Sequence, residues 1–111
     1  MGGKTVFGST VDIVAPIFVS EGPGNVKAFP SLADAESWLE PWWVDGGEGL
    51  IFDSMGQMLA GLASGDRVVL GCGTLTAETR AMLRELLQAD LTHRGIPFPE
   101  DCETSTLVSL Y

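Results

Sequence analysis

Residue types that often perform catalysis are scarce in this chain. His93 is the only histidine, so any catalytic triad, imidazole acid–base mechanism or histidine metal cluster would have to include it. It lies in the last turn of a predicted helix, where a cation interacts favourably with the helix dipole. A catalytic site needs several groups in matched geometry, and no partner spacing is recognisable here. We therefore expect no enzyme, no catalytic residue and no cofactor.

A glycine-rich segment, Gly71-Cys72-Gly73, stands between a predicted strand and a predicted helix. Such a loop can hold a phosphate on free backbone N–H groups. Here Thr76 replaces the third glycine of the dinucleotide-binding pattern and no P-loop lysine follows. Loop geometry and close helix packing explain these glycines better. Cys72 and Cys102, the only cysteines, are expected to be buried reduced thiols, although a single bridge stays open.

Carboxylates dominate the charge of the chain, with fifteen Asp and Glu against six Lys and Arg and a net charge of -9. Between Lys27 and Arg67 there is no basic residue. No spacing singles out a glycosidase-like pair, and residues 45–48 lack the alternating oxygen ligands of a calcium loop. We expect no metal site. Two interpretations stay open, a solvated face and a patch complementary to a basic partner.

The charge balance also distinguishes classes of partner. Nucleic acid and anionic lipid are poor partners, because binding to phosphates depends on basic groups that displace counterions. No apolar run approaches the roughly 20 residues of a membrane-spanning helix, and no signal peptide is indicated, so we expect a cytoplasmic protein. A negative surface instead attracts a basic protein and speeds the encounter.

Two adjacent tryptophans, Trp42 and Trp43, adjoin the acidic stretch on a segment predicted to be extended, where neighbouring side chains point to opposite faces. One would fill the core and the other would be exposed, as are many interface residues that dominate binding energy. Burial of both stays open. The predicted partner-binding residues are Asp34, Glu36, Glu40, Trp42, Trp43, Asp45, Glu48 and Asp53.

Hydrophobic periodicity, together with Pro and Gly, indicates the elements that position these residues. Residues 1–10 are expected to form a flexible arm and residues 11–111 a single domain, for which 45% hydrophobic residues supply one core. Helices are predicted from Ser31 to Pro41 and from Thr76 to Leu91, with Ser31 and Thr76 as caps. Strands are predicted at residues 11–20, 25–29, 49–53, 57–62, 66–71 and 104–110. The expected fold is α+β, with two helices packed on one face of a mostly antiparallel sheet of five or six short strands.

A series of short motifs runs through the block from Pro16 to Leu59. After an opening strand, the motifs are Leu39-Glu40-Pro41 at the end of a short helix, Val44-Asp45, Gly47-Glu48, Phe52-Asp53 and Gly56 before a returning strand. In this pattern the block resembles a group of small, mostly uncharacterised bacterial proteins. Some of them are thought to be immunity proteins, which neutralise a cognate toxin of interbacterial competition or self-intoxication.

This resemblance implies an immunity protein of a polymorphic toxin system, which would bind a cognate toxin with a basic surface, such as a nuclease. Two alternatives stay open. One is a small enzyme or small-molecule-binding domain with a pocket lined by Met55, Met58 and the tryptophans. The other is a homodimeric structural module built on an exposed sheet edge.

Overall fold

The computed structural model describes residues 12–22, 24–47 and 49–111. The predicted arm, residues 1–10, lies outside the described residues. Nine elements follow in the order β1 Ile17–Gly22, β2 Asn25–Phe29, α1 Leu32–Trp38, α2 Pro41–Gly46, β3 Leu50–Phe52, β4 Met58–Ser64, β5 Arg67–Thr74, α3 Ala77–Arg94 and α4 Thr104–Val108. In these described ranges, no helix combines the length and the apolar character needed to cross a membrane.

The five strands form one antiparallel sheet in the order β2-β1-β3-β4-β5. Strands β1 and β2 form a hairpin whose pairing begins at Ile17, directly after Pro16. After α1 and α2 the chain returns to β3, which pairs with β1 and begins a meander through β4 and β5. The predicted α+β class with a mostly antiparallel sheet of five or six strands is confirmed.

Both faces of the sheet carry helices, so the predicted packing of both helices on one face is wrong. On one side α1 and α2 cover the α1-side cluster, and on the other α3 and α4 cover the α3-side cluster. The α1-side cluster comprises Ile17, Val19, Ala35, Leu39, Ile51, Leu59, Val68 and Leu70. The α3-side cluster comprises Phe18, Val26, Phe52, Leu83, Leu87, Leu91 and Leu107. The reason lies in β1, which is apolar at consecutive positions and is therefore buried on both faces.

Residues 104–110, predicted as a last strand, instead contain the short helix α4. Their β-branched residues favour a strand, but Leu107 in α4 and Tyr111 beyond its end both pack on the α3-side cluster. Leu107 is fully buried, and the Tyr111 ring meets the Phe18 ring edge-on at 5.2 Å between centroids. Packing against α3 and β1 thus overrides local strand propensity.

The segment Gly71-Cys72-Gly73 lies inside β5 and not in a loop between strand and helix. A Cβ on Gly73 would overlap the Met58 carbonyl oxygen, next to a shift in the β4–β5 register. Glycine is required there because two backbones approach closely. Cys72 is exposed, contrary to the expected burial, and Cys102 is a half-buried free thiol packed against the α3-side cluster.

Candidate functional site

The corner between α1 and α2 positions the tryptophans and one of the predicted acids. Ser31 begins α1 as predicted, since its Oγ accepts a hydrogen bond from the Asp34 backbone N–H at 3.1 Å. The helix ends at Trp38, and Leu39 anchors the corner because its side chain is buried in the α1-side cluster. Glu40 follows in an extended conformation and is exposed.

Trp42 and Trp43 lie in helix α2, so the prediction of an extended segment is wrong. Pro41 occupies the start of this helix, where its missing N–H costs nothing, and Gly47 ends it in the left-handed conformation with φ of 64°. Trp42 is 70% exposed, whereas Trp43 is half-buried and packs against the α1-side cluster. Gly49 provides the space, because a Cβ there would overlap the Trp43 ring.

Trp38, in the last turn of α1, is 41% exposed. Its ring packs against Phe29 with 5.4 Å between centroids, and the Lys27 ammonium lies 5.5 Å from the centroid of the Trp38 ring. The last turn of α1 therefore places Trp38 beside β2, where part of the ring stays accessible.

Between these side chains lies a cleft of about 270 Å³, which we call the tryptophan cleft. It is lined by Glu21, Trp38, Leu39, Glu40, Trp42 and Trp43. Glu21, at the end of β1, is oriented by Asn25, whose amide Nδ2 donates to Glu21 Oε1 at 3.3 Å. The cleft thus combines three indole rings with two exposed carboxylates.

Of the predicted partner-binding residues, Glu40, Trp42 and Trp43 meet in the tryptophan cleft. Asp34 and Asp45 are exposed at the start of α1 and near the end of α2, away from the cleft lining. Glu48 lies outside the described residues.

Glu21 and Trp38 complete the cleft and were missed by sequence reasoning. The helical spacing of Trp38 with Ala35 and Leu39, which are both buried, favours a core position and therefore hides its accessible ring. Glu21 lies near the end of β1, and the sheet places this end beside the last turn of α1.

Asp53 is fully buried and therefore does not belong to a contact surface, contrary to the prediction. Its Oδ1 accepts hydrogen bonds from the backbone N–H groups of Met55 and Gln57, both at 2.9 Å. Its Oδ2 accepts from the Val14 backbone N–H at 3.0 Å and from the Gln57 side-chain amide at 3.3 Å. This carboxylate holds together the turn between β3 and β4.

Glu36 also has an internal role. Its Oε2 accepts a hydrogen bond at 2.8 Å from the backbone N–H of Leu70, on the outer edge of β5. A carboxylate engaged in this way covers a backbone donor that would otherwise be open to strand pairing. Glu36 is therefore separated from the tryptophan cleft in position and in role.

The opposite edge strand, β2, is covered by a network around the buried Asp90 at the end of α3. Asp90 accepts from the Val26 backbone N–H at 3.2 Å, from Arg94 Nε at 2.6 Å and from the Tyr111 hydroxyl at 2.8 Å. Arg94 also donates to the Val26 carbonyl oxygen at 2.8 Å. Burial, reinforced by the Asp90 carboxylate, raises the pKa of Tyr111 well above its ordinary value.

The Arg94–Asp90 contact is the only ion pair among the residues that the structure describes. The carboxylates of Glu21 and Glu40 consequently have no cation of the described chain within ion-pair distance. Within the same residues, no group of three or more His, Cys, Asp and Glu could hold a metal ion. The indole rings and carboxylates that line the tryptophan cleft can offer aromatic contact and attraction to a cation.

Comparisons of the chain with models of known protein families, with curated proteins and with solved structures find no match.

Proposed function

We propose that this chain is an immunity protein that acts in the cytoplasm by contact and not by catalysis, binding a cognate bacterial toxin through the tryptophan cleft and its acidic surroundings. The observation that carries the proposal is Trp42, which is 70% exposed beside carboxylates that have no internal cation. The resemblance of the motifs in residues 16–59 to those of proteins thought to be immunity proteins supports a toxin as the partner.

An exposed tryptophan on a short helix suits a binding residue. Burying Trp42 against a partner removes a large apolar surface from water, and tryptophans at the centre of interfaces often contribute about 2 kcal/mol or more to binding. The net charge of -9 complements a basic toxin. Long-range attraction then speeds association, while the buried indole slows dissociation.

The specific pocket on which the small-molecule alternative rests, lined by Met55, Met58 and the tryptophans, finds little support in the structure. Met58 and Trp43 line a cavity of about 170 Å³ beneath α2, but Met55 lies outside it and is 48% exposed. Both this cavity and the tryptophan cleft are smaller than the roughly 300–1,000 Å³ of typical small-molecule sites. The predicted pocket of Met55, Met58 and the tryptophans is therefore not assembled.

The homodimer alternative has one observation in its favour. Leu62 and Val69, which are cross-strand partners on β4 and β5, are 67% and 50% exposed on the face opposite α1 and α2. The backbone of both sheet edges is in part covered, at Val26 by Asp90 and Arg94 and at Leu70 by Glu36. Light scattering at several concentrations distinguishes a face-to-face dimer from a monomer, and Leu62→Ser would dissociate such a dimer.

Co-expression tests the proposed function. The reading frame adjacent to this gene is expressed in a heterologous bacterium, alone and together with this protein. We expect growth arrest by the neighbour, relief by the wild-type protein, and loss of relief in a Trp42→Ala, Glu40→Lys variant. Glu85→Lys, on the exposed side of α3, is the matched charge control and should retain protection. Equal protection by the cleft variant would refute the proposed site, and a harmless neighbour would count against the proposed function.

A further inference from the structure

We infer that the tryptophan cleft receives an arginine side chain of the partner protein; this inference rests on the proposed function, because it names the chemical group that the same site binds. The cleft offers aromatic faces for a planar cation and carboxylates for its N–H groups. Both features come from side chains that the described chain leaves accessible.

The indole rings provide the first half of the recognition. A cation over the face of a tryptophan is attracted by the ring quadrupole, and this attraction is stronger for indole than for other side-chain rings. The fold already contains one such contact, since Lys27 lies 5.5 Å from the Trp38 ring centroid. Trp42 and Trp43 are free of any comparable cation contact within the described residues. A second cation, from outside, would therefore meet rings that remain available.

Carboxylates provide the second half. Glu21 and Glu40 both line the cleft and both are exposed, and neither forms an ion pair with a described cation. The Asn25 amide fixes one oxygen of Glu21 at 3.3 Å, which limits the conformations that the carboxylate samples. An ionised carboxylate accepts directional hydrogen bonds from the N–H groups of a cation, and these bonds add to the aromatic attraction.

Arginine fits this combination better than other cations. The guanidinium is planar, so it stacks on an indole, and its N–H groups match carboxylates in a fixed fork. Lysine carries a compact and strongly hydrated charge, which loses more hydration on entering an aromatic cleft. A trimethylated ammonium would contact the rings but has no N–H to donate to Glu21 or Glu40. The volume of about 270 Å³ suits one long side chain.

Nuclear magnetic resonance of the full chain with ¹⁵N-labelled tryptophan tests the inference. The probe is acetyl-Gly-Arg-Gly-amide, and the comparison peptides carry citrulline, lysine or trimethyllysine in place of arginine. We expect the arginine peptide to shift the indole N–H signals of Trp42 and Trp43, the two rings that carry no cation among the described residues, with a dissociation constant on the order of 1–10 mM. Citrulline, which has the same shape without the charge, should bind at least about tenfold more weakly.

Variants locate the response. Glu40→Gln and Glu21→Gln should each weaken arginine binding by about three- to tenfold while leaving the unfolding midpoint unchanged, because both side chains are exposed. Glu85→Gln, an exposed glutamate of α3 on the other side of the sheet, should leave the affinity unchanged. Equal binding of citrulline, tighter binding of trimethyllysine, absence of indole shifts, or insensitivity to both glutamine variants would each overturn the arginine assignment.

The two proposals fail separately. If the adjacent toxin is neutralised through Trp42 but the arginine peptide does not bind, the assignment of the ligand group is wrong and the proposed function stands. If the arginine peptide binds as expected but no adjacent gene product is neutralised, the cleft is an arginine site and the proposed toxin partner is wrong.

Discussion

Replacing Asp53 by asparagine separates a structural role from a role in binding. Asp53 was predicted from sequence as a partner contact, yet its buried carboxylate accepts four hydrogen bonds from Val14, Met55 and Gln57. In Asp53→Asn the amide oxygen can keep the two bonds to Oδ1. The amide nitrogen, however, is a donor and then faces two other donors, the Val14 backbone N–H and the Gln57 side-chain amide. Both of these groups lose the acceptor that Oδ2 provided.

The expected cost follows from these bonds. A hydrogen bond to a charged group contributes about 1.5–3 kcal/mol, and a buried donor left without an acceptor costs about 1–3 kcal/mol. The variant loses two of these hydrogen bonds, and rotation of Gln57 or entry of water can offset part of the cost. We therefore expect a decrease of about 2–4 kcal/mol in the free energy of unfolding. Since small domains are stable by about 5–15 kcal/mol, the variant should fold but with little margin.

Urea denaturation followed by tryptophan fluorescence and circular dichroism measures this decrease. With a slope of about 1–3 kcal/mol per molar urea, the midpoint should fall by roughly 0.7–4 M while the slope stays constant. Glu40→Asn, at an exposed position, is the control and should shift the midpoint little. If Asp53→Asn unfolds within about 0.5 kcal/mol of the wild type, the assignment of Asp53 as the anchor of the turn is wrong.

Three further predictions concern single side chains. Tyr111 is the only tyrosine, and because its pKa in the folded chain is raised above 10.0, the stability it confers is fully present below about pH 10 and declines above it. Absorbance at 295 nm should therefore show tyrosinate at higher pH in the folded protein than in urea. Equal titration of the folded and the unfolded chain would contradict the network of Asp90, Arg94 and Tyr111. Gly49→Ala should destabilise by about 1–3 kcal/mol through the Trp43 ring, whereas Gly71→Ala, where an added Cβ meets nothing within 4 Å, should be nearly neutral in thermal unfolding. Trp42→Ala should change stability by about 0.5 kcal/mol or less, in contrast to Trp43→Ala at about 2–3 kcal/mol, and equal costs would refute their different burial.

Features fixed by neighbours in sequence were predicted well. Ser31 and Thr76 cap their helices as expected, because capping depends on residues within one turn, and Thr79 completes a capping box with Thr76. The strands predicted at residues 11–20, 25–29, 49–53, 57–62 and 66–71, each bounded by turn residues close in sequence, correspond to β1 to β5. Local chemistry decides such elements before the tertiary fold contributes.

Features that depend on distant partners were missed. The donor that holds Glu36 comes from Leu70, 34 positions away, and the donors that hold Asp53 include Val14, 39 positions away. In sequence these carboxylates look like Glu40, which has no such donor. Charge pattern alone therefore predicts an acidic surface but cannot separate a carboxylate that braces the fold from one that faces solvent.

The same separation determines how salt should act on this protein. Glu36, Asp53 and Asp90 accept backbone hydrogen bonds at 2.8–3.2 Å, and contacts this short are little affected by counterions. The exposed Glu21 and Glu40, by contrast, would attract the proposed partner through solvent, where the Debye length falls from about 10 Å at 0.1 M salt to about 3 Å at 1 M. Raising sodium chloride over this range should therefore slow association with a basic partner by at least about tenfold. The free energy of unfolding should hold or rise, because screening also reduces repulsion among carboxylates in a chain of net charge -9.

Stopped-flow association and urea denaturation at both salt concentrations make the comparison, with Glu40→Gln reducing the salt dependence of association and Asp53→Asn leaving it unchanged. A parallel loss of stability and association rate in high salt would mean that the exposed carboxylates support the fold, and the division into bracing and binding acids would be wrong.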